Sequence, residues 1–218
     1  MIDLHTHSIF SDGELLPSEL VRRAVVIGYT AIAITDHVDS SNIDFVVPRI
    51  VRVCEELNRF WEIIAIPGAE ITHVPPETIP SMVKMARELG AKIVVVHGES
   101  PIEPVITGTN MAAIEAGADI LAHPGFITDE EIALAHERGI HLELTSRRGH
   151  CISNGFIVTK AMLFGTKLVI NTDAHSPADL ISDIDAERIL LSAGLPKERI
   201  IEVFNNSKKI VEEKSGKI

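Results

Sequence analysis

Short apolar runs alternate with amphipathic stretches along the whole chain. The runs are "MIDLH" (1–5), "YTAIAITDH" (29–37), "EIIAIPGAEI" (62–71), "AKIVVVHGE" (91–99), "ADILAHPG" (118–125), "IHLELTS" (140–146) and "KLVINTDAH" (167–175). Most are near-continuously apolar and rich in Ile and Val, the pattern of parallel strands buried on both faces. The stretches between them carry helix signals. "PSELVRRAVVIG" (17–28) starts with Pro17 and stops at Gly28, as a helix with proline in its first turn and glycine past its last does. "TIPSMVKMARELG" stops the same way at Gly90, and "TDEEIALAHERG" opens on a threonine cap and an acidic first turn before Gly139. Seven strand-plus-helix units across 218 residues average about 31 residues each, the size of a βα unit. The expectation is an α/β fold: one domain over residues 1–218, closed as a seven-stranded (β/α)7 TIM-like barrel.

The polar residues concentrate at one end of these runs. Run one ends in His5 and His7, with Ser11 and Asp12 just beyond; run two ends in Asp36 and His37, and run three in Glu70. Run four ends in His97 and Glu99, run five in His123, run six in the loop "TSRRGH" and run seven in Asp173 and His175. The starts of the strands carry ordinary residues such as Tyr29, Lys92 and Lys167. In a parallel barrel all the strand ends converge on one face, so His5, His7, Asp12, His37, Glu70, His97, His123, Asp173 and His175 are expected around one mouth as metal ligands. Imidazole and carboxylate without thiolate suit Zn²⁺, Mn²⁺ or Fe²⁺. Nine ligands exceed what one tetrahedral ion takes and fit two or three ions if one carboxylate bridges. Glu70 is the natural bridge. Gly13 is expected to tolerate an unusual backbone angle that folds Asp12 back over the mouth.

Composition narrows the partners. The net charge of −11 argues against a broad basic surface for nucleic acid, and aromatics at 4% leave few platforms for stacking bases. The longest apolar runs are strand-sized, so no membrane span is expected, and no secretory leader pattern opens the sequence; a cytoplasmic location follows as the expectation. Cys54 and Cys151 are expected to be reduced thiols.

The motifs "DLHTHSIFSDG", "ITDH", "GAEI", "VVVHGE", "LAHPG" and "NTDAHS", in this order from residue 3 to 176, resemble the polymerase-and-histidinol-phosphatase (PHP) family of metal-dependent phosphoesterases. The resemblance implies a distorted seven-stranded barrel with a trinuclear metal centre. It assigns His5, His7, Glu70 and Asp173 to a first ion, Glu70, His97 and His123 to a second, and Asp12, His37 and His175 to a third. Asp12 stands where some relatives have histidine. The implied chemistry agrees with the residues themselves: closely spaced divalent ions clamp phosphate oxygens and lower the pKa of a bound water, so hydroxide attacks phosphorus without a seryl or cysteinyl nucleophile. Neither a G-x-S-x-G elbow nor a well-placed cysteine is present.

The expected function is hydrolysis of small phosphomonoesters in the manner of a histidinol phosphatase. Glu70 and Asp173 serve the chemistry through the ions, and His150 is a candidate proton donor to the leaving group. Arg147, Arg148 and Glu99 are candidate substrate contacts; Asp39 is a weaker one. His73 is placed beside the ligands, while His136 on a helix and His141 at the far strand end are given no role. Three alternatives stand beside this one: a nuclease or nucleotide phosphoesterase of the same family, an amidohydrolase, and a non-catalytic metal-binding regulatory domain. An amidohydrolase barrel usually has eight strands and a modified lysine ending strand four, whereas here run four ends in His97-Gly98-Glu99. Oligomeric state is not read from the sequence.

Overall fold

Each apolar run becomes a strand, and every strand pairing is parallel. The computed structural model describes residues 1–215. The strands are β1 (Ile2–Asp3), β2 (Ala31–Ile34), β3 (His37–Val38), β4 (Ile64–Ile71), β5 (Ile93–His97), β6 (Ile120–Ala122), β7 (His141–Thr145) and β8 (Leu168–Asn171). Their spatial order is β1-β2-β4-β5-β6-β7-β8, with β3 paired to β4 beyond the end of β2. The second predicted strand is therefore one line broken at Thr35–Asp36, and the barrel has seven staves, nearly closed. Eight helices are described: α1 (Pro17–Ile27), α2 (Ile43–Phe60), α3 (Ile79–Glu88), α4 (Thr109–Glu115), α5 (Asp129–Arg138), α6 (Asn154–Phe164), α7 (Asp183–Ser192) and α8 (Ile200–Ser215). Most cross from one strand to the next, as parallel pairing requires.

Helix boundaries follow local chemistry. Pro17 sits in the first turn of α1, and Gly28 ends it at φ 100°, donating to the Ala24 and Val25 carbonyls. Thr128 caps α5: its Oγ1 accepts from the Glu131 amide at 3.2 Å, and Glu131 Oε2 accepts from the Thr128 amide at 2.8 Å.

Two apolar layers hold the barrel. The larger lies between strands and helices. The smaller fills the interior with Leu4, Ala31, Ala33, Ile66, Val95 and neighbouring strand residues, and Ile210 and Val211 of α8 belong to it. Helix α8 thus lies across the strand-start end of the barrel as a plug. Lys214 Nζ pairs with Asp119 Oδ1 at 2.5 Å and Asn206 Nδ2 donates to the Leu168 carbonyl at 2.9 Å, both at that end.

Closure between β1 and β8 is made largely by side chains. Asn171 Oδ1 accepts from the Leu4 amide at 2.9 Å, and Asp3 Oδ2 accepts from Thr172 Oγ1 at 2.6 Å. Backbone bonds then take over: the Asp173 amide donates to the His5 carbonyl at 3.0 Å and the His7 amide to the Ala174 carbonyl at 2.9 Å. The seam therefore closes where four of the expected ligands stand.

Candidate metal centre

The strand ends deliver their side chains to one mouth, as parallel pairing dictates. His5, His7, Glu70, His97, His123 and Asp173 are all buried. Glu70 lies in the middle: its Oε1 is 3.3 Å from His5 Nε2 and its Oε2 is 3.6 Å from His7 Nε2 and 2.7 Å from His37 Nδ1. Asp173 Oδ1 is 3.2 Å from His7 Nε2 and 3.8 Å from His5 Nε2, and its Oδ2 is 3.7 Å from His123 Nε2. Asp12 Oδ1 is 3.1 Å from His175 Nε2 and 3.4 Å from His37 Nε2. All nine expected ligands thus share one site, and donor atoms from His7, Asp12, His37 and His175, and from His5, His7 and Asp173, fall within 4.8 Å of one another.

Two features of these contacts fit divalent cations. Ligands bound at about 2.0–2.2 Å to one ion lie about 3 Å apart, which is the spacing of the closest pairs. And several facing atoms, His5 Nε2, His7 Nε2, Glu70 Oε1 and Asp173 Oδ1, are buried without a hydrogen-bond partner, a state that costs free energy unless a cation completes it. The ring orientations agree. His5 Nδ1 is 2.7 Å from Glu143 Oε2, His97 Nδ1 is 3.2 Å from the Gly98 carbonyl and His175 Nδ1 is 2.9 Å from the Asp173 carbonyl. Each partner accepts a proton from Nδ1 and leaves Nε2 as a lone pair facing the mouth, the usual arrangement behind a metal-bound imidazole.

Electrostatics show a site in conflict with itself. Burial pushes the His5 imidazole down, but the charges of Glu143, Glu70 and Asp173 outweigh it and hold it well above its usual value. His123 is driven well below by burial and by His97. His7 falls to about 3, through burial and His37. Burial raises the Asp12 carboxyl, yet His175 and His37 bring it down to about 2. Divalent charge at the centre would meet the carboxylates Glu70 and Asp173 and the imidazoles that burial keeps neutral.

Strain concentrates here too. His123 and Asp173 have φ of 28° and 53°, and His73 on the rim has 53°, conformations that side-chain-bearing residues rarely adopt. Gly13, in contrast, does not take a positive φ. It is required because a Cβ there would run into the His7 carbonyl.

A cavity of about 500 Å³ opens over the centre, lined in part by Asp12, His37, His97, Arg147, His150 and His175. Of the two adjacent arginines, Arg147 lines it, with Nη1 3.4 Å from Asp179 Oδ2, while Arg148 is exposed and off the lining. Asp39 is on the wall, accepting from Ser41 Oγ at 2.6 Å. Glu99 does not face the cavity: its Oε1 accepts from the Gly108 and Asn110 amides at 2.9 and 3.0 Å and braces the start of α4. Asp36, read from the sequence with the other strand-end residues, does not line the cavity. It accepts from Ser8 N, Ser8 Oγ, Ser11 N and Ser11 Oγ at 2.7, 2.7, 3.1 and 2.8 Å, and so shapes the turn that carries Asp12. His136 is on the surface and His141 lies at the opposite end of the barrel, as expected.

Two acids escape sequence reasoning. Glu143, fully buried on β7, holds His5 Nδ1 and also accepts from Asn171 Nδ2 at 2.9 Å. Its signal is a charged residue between two leucines in a strand otherwise buried on both faces. Glu103, on the loop after β5, lies against His73, His97 and His150, and no local pattern marks it.

The PHP domain profile matches residues 3–152, and the chain belongs to that family, whose members share a metal-dependent phosphoesterase fold. An uncharacterized protein of Methanocaldococcus jannaschii is 52% identical over 200 residues, covering 91% of this chain and 92% of that protein. The DNA polymerase/3'-5' exonuclease PolX of Bacillus subtilis is 27% identical over 193 residues, or 80% of this chain; the match spans only 34% of PolX. Among solved structures, a chain of an archaeal ribonuclease P with mature tRNA superposes with a TM-score of 0.75 at 16% identity, covering 98% of this chain and 91% of that one. Histidinol phosphate phosphatase of Lactococcus lactis, complexed with zinc, L-histidinol and phosphate, superposes with a TM-score of 0.61 at 16% identity, covering 89% and 94%. At that identity the likeness establishes the fold. Among the described residues no helix is long and apolar enough to cross a membrane.

Proposed function

We propose that this protein is a metal-dependent phosphatase of small phosphomonoesters. The observation that carries it is the set of buried, partnerless imidazole and carboxylate atoms facing a cavity of about 500 Å³, on whose wall Arg147 stands. His5, His7, Glu70 and Asp173 would hold one ion, Glu70, His97 and His123 a second, and Asp12, His37 and His175 a third, with Glu70 central to the first two. The metal is Zn²⁺, Mn²⁺ or Fe²⁺. Such ions, when bound, neutralise phosphate oxygens and bring the pKa of water toward neutrality.

The chain's own residues do the rest. Arg147 offers a guanidinium fork to phosphate oxygens, and Asp179, 3.4 Å away, orients it. Glu143 fixes the His5 tautomer, and Asp36 fixes the turn bearing Asp12. The acidic surface and a cavity of this volume favour a small substrate over a polynucleotide, in the cytoplasm rather than at a membrane. Glu99 and Arg148 take no part in substrate binding.

The test is phosphate release from a panel of phosphomonoesters by metal-loaded protein, beside single-stranded oligonucleotides and amide substrates. Wild type should turn over monoesters, His5→Ala should be inactive, and Arg147→Ala should raise KM about 10–100-fold, against less than about twofold for Arg148→Ala. Equal phosphate release by wild type and His5→Ala would sink the proposal. Selective turnover of oligonucleotides would move it to the nuclease branch of the family.

A further inference from the structure

Glu103 and His150 lie outside the nine-ligand pattern, yet Glu103 lies against His97 and His150, and the His150 ring stacks on His123. Glu103 Oε2 is 3.1 Å from His97 Nε2, and Oε1 is 3.3 Å from His150 Nε2. One ring nitrogen each from His97, His123 and His150 lies within 4.8 Å of the others, and all three rings are buried. The His123 ring packs 4.4 Å from that of His97 and 4.1 Å from that of His150.

The hydrogen-bonding pattern explains why proximity here means more than a salt bridge. The Gly98 carbonyl beside His97 Nδ1 can only accept, so Nδ1 carries the ring proton. In its neutral form His97 presents a lone pair at Nε2 straight to a carboxylate oxygen, acceptor against acceptor at 3.1 Å. The His150 ring is held in place by Ser100 Oγ, a group able to donate or accept, 2.7 Å from its Nδ1, and its Nε2 faces the other Glu103 oxygen. A proton on one ring would relieve one of these pairs. A divalent cation relieves both at once, and the spacings of 3.1 and 3.3 Å are those of neighbouring ligands on one ion.

The scaffold keeps Glu103 in place. Its loop leaves β5 at Gly98, where a Cβ would strike the Ala122 carbonyl, and is tied to α4 through Glu99 and Asn110. His73 Nε2 supports the same carboxylate from outside at 3.1 Å.

We infer that His150 and Glu103 are ligands of the ion shared by His97 and His123, giving it three imidazoles and a loop carboxylate beside the bridging Glu70. This rests on the proposal that His97 and His123 bind metal. It also changes the role of His150: with Nε2 on the ion it is not the proton donor to the leaving group.

The experiment is metal retention, read independently of activity. Full-length wild type, His150→Gln, Glu103→Gln, His97→Ala and the surface control His136→Gln are loaded with Zn²⁺ or Co²⁺. They are then dialysed against graded chelator, with bound ions counted by elemental analysis and cobalt followed by its visible bands. His150→Gln and Glu103→Gln should each lose one ion at about tenfold or more lower chelator concentration than wild type. It should be the same ion that His97→Ala loses, with altered cobalt bands, while Glu103→Asp retains part of the affinity. If His97→Ala loses that ion and both new variants hold it as wild type does, the inference falls and the metal centre stands. If His97→Ala also retains every ion, the metal assignment of this half of the site falls, and the inference with it. Should His150→Gln fail to fold, Glu103→Gln on its loop carries the same test.

Discussion

Removing Glu143 tests whether a residue remote from the cavity governs the metal centre. Its Oε2 accepts hydrogen bonds from His5 Nδ1 at 2.7 Å and Asn171 Nδ2 at 2.9 Å. Glu143→Gln keeps an oxygen for both donors but removes the charge that raises the basicity of His5. Partners of this kind typically contribute 10–100-fold in metal affinity, or about 1.4–2.7 kcal/mol. Glu143→Leu goes further and strands two buried donors. At about 1–3 kcal/mol each this costs roughly 2–6 kcal/mol of stability, a fall in Tm of about 5–20 °C for a chain of this size. Chelator competition measures the affinity and calorimetry the Tm. The expected order is wild type above Glu143→Gln above Glu143→Leu in both. Wild-type metal affinity together with a Tm within about 2 °C for Glu143→Leu would refute the idea that this carboxylate orients His5.

Other outcomes follow from the same geometry. Asp36→Ala should lower stability by about 3 kcal/mol or more, since it leaves the Ser8 amide and the Ser8 and Ser11 hydroxyls without their acceptor while the Ser11 amide keeps the Ser8 carbonyl, whereas Asp36→Asn should retain most of it; urea melts decide between them. His141 is pushed down to about 4 by burial and then by Lys167. The unfolded chain protonates it near its usual value while the folded chain does not, so stability falls as pH drops from about 6.5 to about 4. His141→Gln should recover about 2 kcal/mol at pH near 4.5, after allowance for partial exposure, and leave stability at pH 7.5 unchanged; parallel pH dependences for the two proteins would contradict this. Chelation of the ions should lower Tm by about 5–10 °C when free metal had stood at about 100 times Kd, because the ions bind only the folded state. A full loss of metal with no change in Tm would separate the site from folding.

The barrel was readable because its signals are local. Near-continuous Ile and Val runs, proline and glycine at helix ends and polar residues at each strand terminus all lie within ten or so residues of one another, and parallel pairing then admits few arrangements. The nine strand-end residues came with those signals. What the sequence hid depends on which way a side chain turns. Glu99 and Asp36 sit at the expected strand ends, but their carboxylates meet amide donors of a helix start and a turn before they can reach the cavity. Arg147 and Arg148 are neighbours in sequence, and only the path of the loop distinguishes them. Glu103 comes to His97 and His150 through a loop fold without a local signature. Glu143 was the most recoverable: an acid inside an apolar parallel strand needs a buried partner, and His5 from the first strand is that partner. Gly13 shows the converse case, where the residue type was read correctly but close backbone approach, not an unusual φ, demands it.

The seam between β1 and β8 has a bearing on how the molecule is assembled. The bond from Leu4 to Asn171 joins residues 167 positions apart, and the helix that plugs the interior lies later still. Contacts of such sequence separation cost loop-closure entropy before they reward it. His5 and His7 stand on one side of that seam and Asp173 and His175 on the other, so no fragment of the barrel carries the complete centre. Metal capture at the proposed centre would therefore be a report of completion: the full ligand set exists only in a chain whose first and last strands have met, and ions bound there would fasten that join.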